Sequence, residues 1–347
     1  MDAARLYLEF SGSCPISFTW YHRDWNQDPV IHDILSPASP RLKTITISTT
    51  GFNVRDSLLT TLGAMSFPIL EHLKCTANQY PYPDEVSLTT ANLYAPRLRH
   101  GVFVNYMVPI GTLSSLVALE IALFGYIRQF NAAAFLDLLR NVAQTLKCLT
   151  LRALNRALQG HTPSASTIQL PELVVLTLRS ASELLLFIST PNLHTLCLEG
   201  HAENTISPFA NFDAPKLTYL KLDSFPLLDL ETVLDFPWRF QELETAVLHQ
   251  CQSSKSFFCH ASSTRDGISA FPSLSSIFFS DPGAFAPIRS MVETWKAADP
   301  DYSTLKRLWF AGGDYVLGAD DIEWITAQGI EFSEGPNVKE PWTTMVF

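Results

Sequence analysis

Four potential soft metal ligands, His249, Cys251, Cys259 and His260, lie within twelve residues, and a zinc site is the chemistry such a set would serve. The spacing opposes it. Zinc sites pair ligands two to four residues apart in each of two arms, and Cys251 coincides with a buried turn position of the repeat described below. Asp320, Asp321 and Glu323 could hold a cation, but acidic residues in a first helical turn favour the helix macrodipole and read as a helix start. Ser11, Ser13 and Cys14 surround Gly12 as a polar turn, with no base identifiable beside them. No dinucleotide or Walker loop, nucleophile elbow, His-Glu-x-x-His or Cys-x-x-Cys motif occurs. These residues predict no enzyme, no metal site and no cofactor.

What the chain does repeat is a ladder of apolar residues at +0, +3 and +5. It begins at Leu42, Ile45, Ile47 and returns at Leu70, Leu98, Leu116, Leu146, Leu173, Leu193, Leu217, Leu243, Leu274 and Leu305, eleven copies in all. Seven copies carry Pro two residues before the first Leu, at Pro40, Pro68, Pro96, Pro171, Pro191, Pro215 and Pro272. Pro cannot donate to a sheet ladder and suits the residue leading into a strand, while +3 and +5 have the period of a strand with one buried face. Helical spacing lies between the strands over residues 53–65, 126–146, 228–236, 283–298 and 319–328; the clearest stripe is Phe135, Leu138, Leu139, Val142 and Leu146. Copies start 18 to 31 residues apart, which brackets the leucine-rich repeat period. The expected fold is therefore α/β: a leucine-rich repeat solenoid, with a curved parallel sheet on the concave face and helices and loops on the convex face. Residues 1–41 are expected to form an N-terminal cap with an edge strand at Ile16 to Trp20, residues 42–318 the array, and residues 319–347 a C-terminal cap. Tyr7, Leu8 and Phe10 would close one end, and Trp324, Ile325, Ile330 and Phe332 the other.

If +3 and +5 point inward, +2, +4 and +6 point out of the concave face. In the last copies these are Tyr219, Lys221, Asp223, His249, Phe278, Arg307 and Trp309, read as the patch that binds a protein partner. Phe278 and Trp309 are placed by register on an exposed face, and Tyr, Trp and Arg are the types enriched at binding hot spots. The alternative is that residues 252–270 fold over the two aromatics.

Composition narrows the partners. The 347 residues are 47% hydrophobic and 17% charged, which implies a large core. The net charge of −10 argues against nucleic acid. It resides in the second half: residues 1–175 carry 13 basic and 12 acidic side chains, residues 176–347 carry 11 and 22. The longest uncharged run, His100 to Leu119, is interrupted by Gly101, Asn105, Pro109 and Gly111 and is not read as a membrane span. Six irregularly spaced cysteines, no glycosylation sequon and no signal-like start point to the cytoplasm or nucleus.

The Leu-x-x-Leu-x-Leu strands introduced by Phe-Pro, Ala-Pro or Thr-Pro resemble the leucine-rich repeat region of fungal F-box proteins, particularly the expanded mushroom-type families. The opening Leu8-Glu9-Phe10-Ser11-Gly12-Ser13-Cys14-Pro15-Ile16-Ser17-Phe18 looks like the segment that follows the F-box there, a helix end followed by Pro and a strand. The resemblance implies a substrate receptor of a ubiquitin ligase, with a cullin adaptor as second partner. Two departures stand against it. The F-box is not legible in these residues, since Leu170-Pro171-Glu172-Leu173 is the start of a repeat strand, and the Asn or Cys expected at +8 occurs only as Asn78 and Cys251. With Phe124 and Phe225 among the substitutes, a hydrogen-bonded turn ladder is expected to be mostly absent. A free-standing scaffold or decoy with the same face is the other reading.

Overall fold

The structure, a computed structural model, describes residues 6–8, 10–22, 28–49, 61–77, 93–105, 113–123, 132–153, 167–200, 212–224, 239–251, 257–259, 264–265, 268–269, 271–299, 304–311 and 317–334. Every copy of the ladder becomes a strand. They are β2 (Leu42–Thr49), β3 (His72–Ala77), β4 (His100–Val104), β5 (Ala118–Ala122), β6 (Cys148–Arg152), β8 (Val175–Arg179), β10 (Thr195–Glu199), β11 (Tyr219–Asp223), β12 (Thr245–His249), β15 (Ser276–Phe279) and β16 (Arg307–Phe310). The expected edge strand is β1 (Ile16–His22), and β17 (Glu331–Glu334) adds a strand that the ladder did not announce. Together they make one parallel sheet of thirteen strands in chain order, with β1 and β17 at its edges. Four two-residue strands lie outside it: β7 (Ile168–Gln169), β9 (Ile188–Ser189), β13 (Thr264–Arg265) and β14 (Ile268–Ser269).

The chain forms two compact units, Met1–Leu173 and Val174–Phe347. Within each, register is set by the apolar ladder. In the first, Ile45, Leu73, Gly101, Leu119 and Leu149 face one another across β2 to β6; in the second, Leu176, Leu196, Leu220, Ala246, Ile277 and Leu308 do so across β8 to β16. Most of these strands alternate buried and half-buried residues, because a one-residue slip would turn the whole apolar set to the other face. Gly101 is the exception that fits: a Cβ there would lie 2.8 Å from the Phe103 ring, so the large Phe at +5 requires nothing at +3.

Pro acts one step earlier than a strand start. Leu146, at the end of a helix, donates to Val142 four residues back, but in most copies the amide of the first Leu donates to the carbonyl three residues before it, as in Leu70 to Phe67, Leu193 to Thr190, Leu217 to Ala214 and Leu274 to Phe271. That closes a β-turn with Pro at its second position, where the fixed φ of Pro is already correct. The carbonyl-bearing residue is itself buried in these turns, which adds a core position at −3 to the ladder.

The turn ladder expected to be missing is present, made by backbone. The residue at +7 takes a left-handed φ at Asn105, Ala153, Ser180, Gly200, Ser224 and Gln250. Its amide donates across to the +6 carbonyl of the next copy, from Asn105 to Ala122, Ser180 to Glu199, Gly200 to Asp223 and Ser224 to His249, at 2.7–2.9 Å. Side chains assist where the sequence allows: Asn105 donates to the Ala77 carbonyl and the Cys251 thiol to the Leu222 carbonyl.

Four helices are described, α1 (Asp28–Ala38), α2 (Ala132–Val142), α3 (Phe285–Ala298) and α4 (Ala319–Ala327). The last two match the expected helices closely, whereas α2 covers the middle of the expected 126–146; it buries Phe135, Leu138, Leu139 and Val142 of the predicted stripe, and Leu146 is buried beyond its end. Residues 61–63 are helical, whereas 53–60 and 228–236 lie outside the described residues. At the C-terminal side Ile325 and Ile330 are buried, Trp324 and Phe332 are half-buried, and Trp324 meets Phe285 edge to face. The N-terminal expectation fails: Tyr7 is 63% and Phe10 86% exposed. Arg41 ties this segment by its polar atoms, donating to the Leu8 and Gly12 carbonyls and to the Ser11 hydroxyl. Among the described residues no helix is long and apolar enough to cross a membrane, and the run beginning at His100 contributes strand β4.

Candidate protein-recognition face

The outward row at +6 of the second unit brings charges into consecutive register: Arg179 opposite Glu199, Glu199 opposite Asp223, Asp223 opposite His249. Two acids are thus neighbours on adjacent strands about 4.8 Å apart, and each takes a compensating partner on its far side. Arg179 forks onto Glu199, with Nε 2.6 Å from Oε2 and Nη2 3.2 Å from Oε1. His249 Nδ1 lies 3.1 Å from Oδ1 of Asp223, which also accepts from the Ser224 hydroxyl at 3.1 Å, and Lys221 Nζ stands 3.9 Å from Oδ2 of the same carboxylate. The His249 hydrogen bond first, then the Ser224 hydroxyl and the Lys221 charge, hold the Asp223 carboxyl below the usual carboxylate range against the opposing effect of burial.

Next to this row the face becomes aromatic. Val247, Phe278 and Trp309 are partners across β12, β15 and β16. Arg307 lies over the Trp309 ring at 5.2 Å and donates through Nε to the Ser276 hydroxyl at 3.1 Å, which fixes both side chains. Trp309, Arg307, Tyr219, Lys221, Asp223 and His249 are all half-buried on this face.

Phe278 departs from expectation. It is 5% exposed, and its neighbours Thr245, Val247 and Ser276 are buried with it, so alternation of strand side chains does not leave this part of the face open. Phe278 is flanked by Val247 and Trp309 and tilts against the His249 ring, 6.4 Å between centroids. It is a packing residue, and the aromatics of the predicted patch that stay accessible are Tyr219 and Trp309, both half-buried. Of residues 252–270, 257–259, 264–265 and 268–269 are described: Phe257 stacks on buried Phe271, and β13 and β14 contact α3, while the rest of that segment lies outside the described residues.

The chemistry weighed at the start is dispersed. His249 is engaged with Asp223 on the outward face, while the Cys251 thiol is buried against the Leu222 carbonyl; His260 lies outside the described residues. Asp320 and Asp321 sit in the first turn of α4, as the macrodipole favours. Ser11 donates to the Leu8 carbonyl and accepts from Arg41. Cys75 is a core residue whose thiol burial pushes up to about 12, so it carries no thiolate near neutrality. Arg179 and Glu199, outward at +6 of their copies, lie outside the predicted patch; their pairing follows from register alone and could have been read from the aligned copies. A scan against protein-family models and a search of curated proteins gave no match for this chain.

Proposed function

We propose that the chain is a non-catalytic protein-recognition module of the cytoplasm or nucleus, a leucine-rich repeat array similar to the substrate-binding part of an F-box ubiquitin-ligase receptor. One observation carries the reading. The outward face of the second unit carries tied charge pairs, Arg179 with Glu199 and Asp223 with His249, on the same sheet as the Arg307 and Trp309 pair. Rigid, pre-paired polar groups on one sheet with a Trp and an Arg suit protein recognition, where a few anchors carry most of the energy and their neighbours exclude water. A parallel stack favours such a role, since each copy adds a further row of outward side chains. The cullin adaptor belongs to this reading through the F-box resemblance. A free-standing scaffold or decoy with the same face is the alternative reading.

The test is affinity capture with the wild-type chain and with Asp223→Lys, read by quantitative mass spectrometry. A protein captured by wild type and depleted at least about tenfold by the variant supports recognition through this face. Recovery of the cullin adaptor in the same complex favours the ligase receptor over the scaffold. Equal capture by both chains overturns the assignment of the face.

A further inference from the structure

The first unit holds a groove that the recognition face does not include. It has a volume of about 610 Å³, runs along the turns that lead into β4 to β6, and is lined by Arg97, Arg99, Lys147, Gln144, Ser114 and Glu172, among others. The volume lies within the roughly 300–1,000 Å³ typical of ligand pockets. Arg97 and Arg99 flank the first Leu of one copy, and Lys147 occupies the same +1 position as Arg99 two strands further on, about 10 Å away.

The charges in this groove do not cancel. Glu71, also in the lining, is taken by Lys43 at 3.2 Å. Among the described residues Arg97, Arg99 and Lys147 have no ion-pair partner, and Glu172 is the one further carboxylate in the lining. A chain of net charge −10 thus concentrates unpaired cations around one cavity. The neighbouring imidazole registers that field: His100, stacked on His72 at 4.6 Å between centroids, is held below its ordinary range by burial and then by His72 and Arg99.

We propose that the groove is an anion site that takes a phosphate group, free or borne on a peptide. Two guanidinium forks and an ammonium converge where a phosphate can present several charged oxygens, and charge-assisted bonds of this kind are the strong ones. Among the described residues the lining has no aromatic ring, the usual stacking platform for a nucleobase.

Calorimetric titration of the full chain tests it, with inorganic pyrophosphate and with a phosphoserine peptide beside its unphosphorylated form. Arg99→Glu and Lys147→Glu should each weaken binding by at least about tenfold, and Glu172→Gln should strengthen it severalfold. These side chains are exposed, so melting should not move, and Lys306→Glu, the same charge change on the other unit, should leave affinity unaltered. Binding of the phosphopeptide alone identifies a peptide-borne phosphate, and binding of pyrophosphate as well identifies the free group as sufficient. No binding of either up to about 10 mM, or equal weakening by Lys306→Glu, overturns the site.

Discussion

Gly200 shows how tightly the turn after each strand is built. At φ +92° it adopts a conformation that L side chains rarely take, and a Cβ there would meet the Ser180 hydroxyl oxygen at 2.6 Å. Gly200→Ala should therefore cost about 1–3 kcal/mol in denaturant unfolding, with part recovered by adding Ser180→Gly. The same left-handed position is filled elsewhere by Asn, Ala, Ser and Gln, so residue type leaves no mark that a sequence reader could use. The hydrogen bond from the amide to the next copy, made by Asn105, Ser180, Gly200 and Ser224 to a carbonyl and by Gln250 to the Ser280 hydroxyl, selects the conformation instead. Phe278 was misjudged for a related reason: strand alternation gives the face of a side chain, but burial depends on what covers that face. Phe278→Ala should cost about 3–5 kcal/mol as a core truncation. Asp223 carries a pH signature. Its carboxyl is lowered in the folded chain, so the unfolded chain binds the extra proton first and stability falls as pH drops through the carboxylate range. Asp223→Asn should flatten that acid limb of the melting temperature against pH; an unchanged limb would remove the His249 pairing as its source.

At the scale of elements, the eleven strands were legible because burying one face of a parallel sheet demands an apolar residue at every second position, and the chain meets that demand with Leu in most copies. Pro was legible as a marker but misread as a strand start; its place in the β-turn is visible only once the carbonyl at −3 is located. The two roles separate in a measurement. Leu193→Ala should cost about 2–5 kcal/mol, since this side chain is fully buried, whereas Pro191→Ala should cost no more than about 1 kcal/mol, because it merely frees the unfolded backbone. Comparable losses from both would contradict the turn assignment. β17 escaped notice because its four residues, Glu331 to Glu334, contain one apolar side chain, Phe332, and no ladder. It is held by pairing with β16 and by contact with α4. The charge pairs of the candidate face were half legible: their residue types are plain, but their pairing needs the exact register of adjacent strands.

For the molecule as a whole, the consequence of stacking is that no copy buries its apolar face alone. Deleting residues 319–347 removes α4 and β17, uncovering one side of β16 and the contacts of Trp324 with Phe285 and Arg289. The truncated chain should aggregate or lose cooperative unfolding in calorimetry, and a soluble, cooperatively folding truncation would show that β16 needs no cap. The two edges of the sheet differ in a way that bears on this. β17 carries exposed Glu331 and Glu334, charges that discourage edge pairing, while β1 exposes Tyr21 at 75%. Recognition through the outward face of the second unit is tested most directly by titrating the captured partner against wild type and Trp309→Ala while recording the melting temperature of each chain. The expected result is an affinity loss of about 2 kcal/mol, about thirtyfold in Kd, with melting nearly unchanged. A variant that melts earlier yet binds its partner with wild-type affinity would make Trp309 a packing residue and place recognition elsewhere.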